Sequence, residues 1–226
     1  MFAYIPARGG SKRVPRKNIL PIAGKPMILH VIDHLLVTKN LSGIAISTDD
    51  DETIKLVQNH SDKIQVLGKR SAELSADSCT FMDLVNYDIE RFARYFNDFD
   101  VLFIFATSIL VTSQYYDQCI ETFVKCSKGL LMSVTENHQS PFLSFVSKGV
   151  GIEPLFPDKF LLPTKDLPLT YFDCGCFYAF NLALMKGLEK FLDLTPITPL
   201  VLSRNMGIDV DNFSDIEKLN EILGMR

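Results

Sequence analysis

Strand-like apolar runs alternate with amphipathic, helix-like runs along most of this chain. Such alternation is typical of a mostly parallel sheet, because each parallel connection crosses back over one face of the sheet as a helix. We therefore predict a Rossmann-like, doubly wound α/β fold with helices on both faces. The predicted strands are 2–6, 43–48, 64–67, 101–106, 130–134, 171–180 and 206–210, and the predicted helices are 27–38, 51–60, 80–96, 113–126 and 214–223.

The first predicted strand leads into a loop of concentrated positive charge. In IPARGGSKRVPRKN two glycines adjoin five cations, and no acidic residue precedes Asp33. Glycines allow close backbone approach, and backbone N–H groups, a serine hydroxyl and cations all bind phosphate oxygens. The loop therefore predicts a binding site for a polyanion such as a nucleoside triphosphate. The residues predicted to form this site are Arg8, Gly9, Gly10, Ser11, Lys12 and Lys17, with Arg13 and Arg16 adding to the charge.

The spacing of this loop excludes two common phosphate-binding motifs. It matches neither GxxxxGK[ST] nor GxGxxG, which disfavours P-loop kinases and dinucleotide-dependent dehydrogenases. In open α/β sheets, ligands bind beyond the carboxyl ends of the strands. We expect the loops after Pro6, Thr48 and Ala106, and the loop around Val210, to share one crevice.

A second candidate site is the pair Asp209 and Asp211 in GIDVD. Mg²⁺ is commonly held by one or two carboxylates together with phosphate oxygens, so this pair predicts a metal site beside the triphosphate. The alternative is that Asp211 caps the following helix. Helix capping is also the interpretation that we favour for Asp49 to Asp51.

Several polar residues follow other predicted strands and are weaker candidates. Arg70 could approach the nucleotide, and Thr107 and Ser108 could bind a hydroxyl of a nucleotide or sugar, although a simple turn explains them equally well. His138 falls in a polar stretch and is a candidate for substrate contact.

Composition narrows the function classes further. A net charge of -4 over 226 residues, with a local concentration of basic charge in one loop and no basic face, argues against a nucleic-acid or membrane-surface binder. We predict one cytoplasmic domain over 1–226, since the sequence shows no signal-like start and no long apolar run. The five cysteines are scattered and suggest no disulfide framework. A proline- and glycine-punctuated excursion at about 136–170 is expected to serve as a lid, a substrate wall or a dimerisation arm.

Five motifs in order resemble one enzyme family over nearly the whole chain. IPARGGSKRVPRKN, GKPMI, ISTDDDE, RSAELSADS and GIDVDNFSDI are similar to motifs of the cytidylyltransferases that activate nine-carbon 2-keto sugar acids, the CMP-sialic acid synthetase family. The resemblance implies a nucleotidyltransferase-type fold, CTP as co-substrate, Mg²⁺ as cofactor and a homodimer with an exchanged arm. FIFATS, SVTENHQSP and YFDCGCFY look most like the pseudaminic acid branch.

The resemblance also assigns roles to positions. It places Arg8, Gly10, Ser11, Lys12 and Lys17 in the triphosphate loop, Arg70 and Ser75 in a nucleotide-contacting segment, and Asp209 and Asp211 at the metal. Arg8, Lys17 and the two aspartates would be catalytic, and Tyr171 and Asp173 join Thr107, Ser108 and His138 on the sugar side. Departures from the family pattern at Phe105, Ile109, Phe172 and 163–165 also fall on that side.

The implied reaction is attack of the sugar C2 hydroxyl on the α-phosphorus of CTP, which releases pyrophosphate. Asp211, Asp209 or a metal-bound water remain open as the base. Two alternatives also remain open: the same chemistry on N-acetylneuraminic, legionaminic or 3-deoxy-octulosonic acid, and a non-catalytic nucleotide-binding regulator.

Overall fold

The computed structural model describes residues 1–97, 99–126, 129–208 and 210–224. Its strands are β1 (Phe2–Pro6), β2 (Pro21–Ile22), β3 (Lys25–Pro26), β4 (Ile44–Thr48), β5 (Ile64–Lys69), β6 (Asp100–Ile104), β7 (Leu130–Glu136), β8 (Phe145–Lys148), β9 (Gly151–Pro154), β10 (Tyr171–Asn181) and β11 (Ile197–Val201). Its helices are α1 (Met27–Leu36), α2 (Asp51–Gln58), α3 (Phe81–Phe92), α4 (Ser113–Lys125), α5 (Pro157–Phe160), α6 (Leu182–Met185) and α7 (Phe213–Gly224).

Within the described residues, seven strands form the central sheet in the order β11-β7-β10-β6-β1-β4-β5. β10 is antiparallel to both of its neighbours, β6 and β7, whereas the other adjacent pairs are parallel. The chain first moves outward from β1 through β4 to β5, and then returns to place β6 on the other side of β1. This reversal creates a crevice beyond the carboxyl ends of β1 and β6.

Helices cover both faces of the sheet, as predicted. One buried cluster packs α1, α2, α4 and α7 against the sheet through residues such as Val31, Phe123 and Leu219. A second cluster on the opposite face includes Val85 of α3 and Met185 of α6. Fully burying one such side chain is worth about 1.5–3 kcal/mol, so these two layers hold the strand ends in place. The α/β prediction is confirmed.

Two helix starts follow directly from the local sequence. The side chain of Asp50 accepts a hydrogen bond from the backbone N–H of Thr53, 2.9 Å away, and so caps α2 as the sequence suggested. Thr80 and Asp83 form a capping box at the start of α3. Thr80 borders the crevice, and Asp50 pairs with Arg16 of the cationic loop, so both caps also fix segments that border or adjoin the crevice.

The predicted strand over 206–210 is wrong for its described residues. Arg204–Met206 form a 3-10 turn, and no strand is assigned at 207, 208 or 210, while Asp209 lies outside the described residues. The seventh strand is instead β11, which sequence analysis did not predict. β11 contains Pro199 and lies at the edge of the sheet, where a residue without an N–H group is tolerated.

The excursion over 136–170 forms a small structure beside the main sheet. β8 and β9 pair as an antiparallel hairpin, and the short helix α5 follows it. Several apolar side chains of this segment are more than half exposed, among them Val150, Ile152, Leu161 and Leu169.

Among the residues that the structure covers, none of the helices combines the length and apolarity needed to cross a bilayer.

Candidate active site

A cavity of about 760 Å³ lies beyond the carboxyl ends of β1 and β6. Of the four loops predicted to share it, those after Pro6 and Ala106 and around Val210 line it, whereas the residues that follow Thr48 do not. Its walls come from the cationic loop, the segment 70–84, the end of β6, the middle of β10 and the residues before α7. The cavity has two chemically distinct halves. Cations line one half and aromatic rings line the other.

The charged half contains most of the predicted phosphate-binding side chains. Arg8, Ser11, Lys12, Arg13 and Lys17 all line the cavity. Five polar groups from one loop therefore face the same space, and they can bind one polyanion together.

The two glycines differ in their roles within this loop. The backbone N–H of Gly9 donates to Asp49 Oδ1 at 2.9 Å, and a Cβ atom on Gly9 would lie 2.9 Å from Asp50 Cβ. Gly9 therefore holds the loop tightly against the start of α2, which no larger residue could do without a shift. Gly10 has no such neighbour within 4 Å.

Arg16 anchors the loop and does not line the cavity. Its guanidinium group pairs with Asp50 at 3.3 Å and with Glu52 at 2.5 Å. The hydrogen bond to Glu52 is the main reason that the pKa of Arg16 is raised. The carboxylates that cap and begin α2 therefore also fix the far end of the cationic loop.

The cavity-lining cations meet carboxylates from other segments. Asp77 bridges two of them, with its Oδ1 2.8 Å from Arg8 Nη1 and its Oδ2 2.5 Å from Lys12 Nζ. The hydrogen bond from Lys12, followed by that from Arg8, lowers the pKa of Asp77. Arg13 Nη2 lies 2.6 Å from Asp211 Oδ1.

Lys17 and Asp211 connect the loop to the segment before α7. Lys17 Nζ donates to the carbonyl oxygen of Val210 at 2.7 Å. The side chain of Asn212 caps α7 by accepting from the N–H groups of Ser214 and Asp215, so the capping role that sequence analysis left open for Asp211 belongs to Asn212. The side chain of Asp211 instead lines the cavity. Its predicted partner Asp209 lies outside the described residues.

Arg70 is a buried cation in the wall of the cavity. Its side chain is only 6% exposed, and Nη2 donates to the carbonyl of Ser47 at 2.9 Å. Nε has no hydrogen-bond partner among the residues that the structure describes. A buried donor without a partner is costly, so this group is suited to bind an acceptor atom of a ligand.

The aromatic half is built by side chains distant in sequence. Phe81 begins α3, Phe103 and Phe105 belong to β6 and its end, and Tyr178 lies on β10. The ring centroids of Phe103 and Phe105 are 5.1 Å apart, and those of Phe105 and Tyr178 are 6.2 Å apart. These edge-to-face contacts form a preorganised apolar wall.

Tyr178 connects this wall to a predicted sugar-side residue. Its hydroxyl donates to Asp173 Oδ2 at 2.6 Å, and burial together with this carboxylate raises the pKa of Tyr178. The second oxygen of Asp173 accepts from the N–H of Gly175, which lines the cavity with φ at 61°. Asp173 does not line the cavity itself, but it fixes the orientation of Tyr178 within the aromatic wall.

The remaining predicted contacts divide between the cavity and its surroundings. Thr107 lines the cavity, whereas Ser108 is buried and donates to the carbonyl of Cys176 at 2.7 Å. The Ser75 hydroxyl donates to the carbonyl of Ser71 at 3.0 Å. His138 and Tyr171 are exposed and lie outside the cavity lining.

Comparison with known proteins agrees with this architecture. The cytidylyltransferase family model matches residues 2–152. A pseudaminic acid cytidylyltransferase of Campylobacter jejuni subsp. jejuni serotype O:23/36 (strain 81-176) is 31% identical over 96% of this chain and 93% of its own length. An N-acylneuraminate cytidylyltransferase of Oncorhynchus mykiss is 31% identical over 83% of this chain and 43% of its own length.

Among solved structures, a CMP:2-keto-3-deoxy-manno-octonic acid synthetase complexed with CTP superimposes with a TM-score of 0.72. The two chains are 16% identical, and the match covers 99% of this chain and 98% of the other. This likeness supports the fold, while the family model and the Campylobacter relative settle the family. The chain belongs to the cytidylyltransferase family.

Proposed function

We propose that this protein transfers the CMP group of CTP to a nine-carbon 2-keto sugar acid, and that the sugar is pseudaminic acid. One observation carries the proposal: a single cavity joins a cationic half, suited to a triphosphate, to an aromatic half, suited to a sugar with apolar substituents. The Campylobacter relative is named for this reaction, which supports the same assignment.

In the charged half, we assign the triphosphate to Arg8, Ser11, Lys12 and Lys17. These groups can neutralise the charge that grows on the departing pyrophosphate, which is the main electrostatic requirement of the reaction. Arg70 is assigned to an acceptor atom of the cytosine ring, because its buried Nε has no partner among the described residues.

In the proposed reaction, the C2 hydroxyl oxygen of the sugar forms a bond to the α-phosphorus of CTP. The bond from the α-phosphorus to the pyrophosphate oxygen breaks, pyrophosphate leaves with that electron pair, and the hydroxyl proton passes to a base, for which we propose Asp211, Asp209 or a water molecule. The cavity contributes mainly by holding the two reactants in line, and a fixed geometry of this kind can supply a large part of a rate enhancement. Lys17 is held at the junction of the loop and Val210, where it can stabilise the developing charge.

The charged half also fits a magnesium ion. Asp211 presents a carboxylate to the cavity beside the cations. Although the described residues contain no group of three or more metal-ligating side chains, Mg²⁺ needs only one or two carboxylates when phosphate oxygens complete its shell. We propose that Asp211 and Asp209 hold it, and when bound the ion would neutralise phosphate charge.

The aromatic half favours one candidate sugar over the others. Phe105 and Tyr178 provide apolar surface where a sugar rich in hydroxyl groups would lose hydrogen bonds to water. Pseudaminic acid carries a second acylamino group and a terminal methyl group where N-acetylneuraminic acid has hydroxyls, so it suits this wall better. Legionaminic acid shares these substituents and differs in stereochemistry, so it is the closer competitor.

We further propose that the protein forms a homodimer in the cytoplasm. The segment 136–170 exposes Val150, Ile152, Leu161 and Leu169, and a second copy of the chain would cover this apolar surface. Among the residues that the structure describes, no disulfide bond links any of the five cysteines, which suits a reducing compartment. Light scattering should give twice the chain mass, and replacing Val150 and Leu161 with aspartate should yield monomers. A wild-type monomer would refute the dimer.

The test of the function is pyrophosphate release with CTP and Mg²⁺, measured separately with pseudaminic, legionaminic and N-acetylneuraminic acids. Turnover with pseudaminic acid and little with the others would establish reaction and sugar together. Preference for another sugar would keep the reaction and change the substrate. Binding of CTP without pyrophosphate release in any mixture would support the alternative of a non-catalytic regulator.

A further inference from the structure

Asp77 holds two phosphate-loop cations from across the cavity. It follows the 3-10 turn Glu73–Ser75 and lines the wall that faces the loop. Each of its carboxylate oxygens is within 2.8 Å of a cationic nitrogen, one from Arg8 and one from Lys12. Two oxygens bridging two cations is an arrangement that a phosphate group can also make.

These ion pairs are exposed enough to exchange with a ligand. The side chains of Asp77 and Arg8 are 47% and 40% exposed, and that of Lys12 is 87% exposed. Ion pairs of this kind are screened by solvent and contribute little stability each. A triphosphate carries several negative charges, so it can replace one carboxylate as the partner of both cations.

We propose that Asp77 is an internal competitor for the phosphate groups of the nucleotide, and that it sets the affinity of the site for CTP and for pyrophosphate. The inference rests on the proposed function, in which Arg8 and Lys12 bind the triphosphate. When pyrophosphate leaves, the Asp77 carboxylate pairs with Arg8 and Lys12 again, and this competition weakens the binding of pyrophosphate.

A different role for Asp77 predicts the opposite result. If the carboxylate positioned Arg8 and Lys12 for the ligand, its removal would weaken binding of every polyphosphate. If it bound the ribose or the cytosine, its removal would weaken binding of cytidine. Competition predicts tighter binding of polyphosphates and unchanged binding of cytidine.

The experiment is calorimetric titration of wild type and Asp77→Asn with CTP, inorganic tripolyphosphate, pyrophosphate and cytidine. Asp77→Asn keeps the size of the side chain and removes its charge. We expect roughly twofold to fivefold lower dissociation constants for the three polyphosphates, the effect of losing a partly exposed ion-pair partner. The difference should shrink as salt concentration rises.

Asp62→Asn is the matched control, because Asp62 is exposed at the opposite end of β5 and its replacement makes the same change in net charge. Asp77→Ser, compared by thermal unfolding and by the same titrations, gives a second neutral side chain. Weaker or unchanged polyphosphate binding in both Asp77 variants, or weaker cytidine binding, would overturn the inference. Absence of CTP binding by wild type would instead count against the proposed function, and the tripolyphosphate titration would still test Asp77.

Discussion

The two halves of the cavity differ in their charge, in their exposure to solvent and in the segments that form them. The charged half comes largely from one continuous loop, and the loop cations remain partly exposed, up to 87% for the side chain of Lys12, although Arg70 in the wall is buried. The aromatic half comes from α3, β6 and β10, and Phe103 within it is only 1% exposed. Solvated ion pairs can change partners as a polyanion enters and leaves, whereas rings packed against one another, two of them buried and two half-buried, hold a fixed shape. We therefore expect changes in the ion pairs to alter the affinity for the nucleotide, and the fixed shape of the rings to select the sugar.

The largest effect should come from Asp211, which lines the charged half of the cavity. Asp211→Asn keeps the shape of the side chain and removes the charge that pairs with Arg13 and is proposed to hold the metal. We expect kcat/KM for pyrophosphate release to fall by about 100-fold to 1,000-fold, as when a key electrostatic group is lost from an active site.

Glu217→Gln on α7 controls for the loss of a nearby charge, since Glu217 is exposed. It should retain wild-type turnover. A folded Asp211→Asn enzyme with full activity would show that catalysis does not require the Asp211 carboxylate. Catalysis in the charged half would then depend on the loop residues alone.

Lys17 should follow, because it joins the loop to Val210. Lys17→Met is expected to lower kcat about 100-fold, with a smaller change in CTP affinity, since its charge matters most as pyrophosphate departs. Lys12→Met is the informative companion, because Lys12 is far more exposed and should affect CTP affinity more than kcat. If both variants changed only affinity, the proposed catalytic role of Lys17 would fail.

Phe105 tests whether the aromatic half acts independently of the charged one. Phe105→Gln should lower kcat/KM for pseudaminic acid about tenfold, the cost of losing one well-placed apolar contact, and leave the KM for CTP unchanged. Steady-state kinetics with each substrate varied in turn would separate the effects. An equal change in both constants would show that the two halves are coupled.

The same contrast explains how much the sequence predicted. The cations of the charged half were predicted, because Arg8, Lys12 and Lys17 are close in sequence and belong to a recognisable loop, whereas the predicted Gly9 and Gly10 do not line the cavity. The aromatic half was largely missed, because Phe81, Phe103 and Tyr178 look like ordinary core residues until the sheet order places their elements together. Phe105 was noticed only as a departure from a family pattern.

Other misses have equally specific causes. Asp77 was inside a quoted motif, but nothing local indicates that its carboxylate reaches across the cavity to two cations. β11 was missed because Pro199 resembles a loop residue unless the strand is known to be at an edge. Pairing of distant segments was the information that the sequence pattern lacked in both cases.

The smallest effect concerns the adjacent residues Thr107 and Ser108, which sequence analysis treated alike. The structure separates them: Thr107 lines the cavity, whereas the Ser108 hydroxyl donates to the carbonyl of Cys176 and so ties the end of β6 to β10. Ser108→Ala should therefore cost about 1 kcal/mol of stability, a melting temperature lower by about 2–4 °C, and leave KM for the sugar unchanged. Thr107→Val should keep the melting temperature and lower kcat/KM roughly fivefold. The reverse pattern, in which Ser108→Ala lowers kcat/KM and Thr107→Val lowers the melting temperature, would mean that the sugar binds further along β10 than the aromatic wall implies. The limits of the two halves would then have to be redrawn.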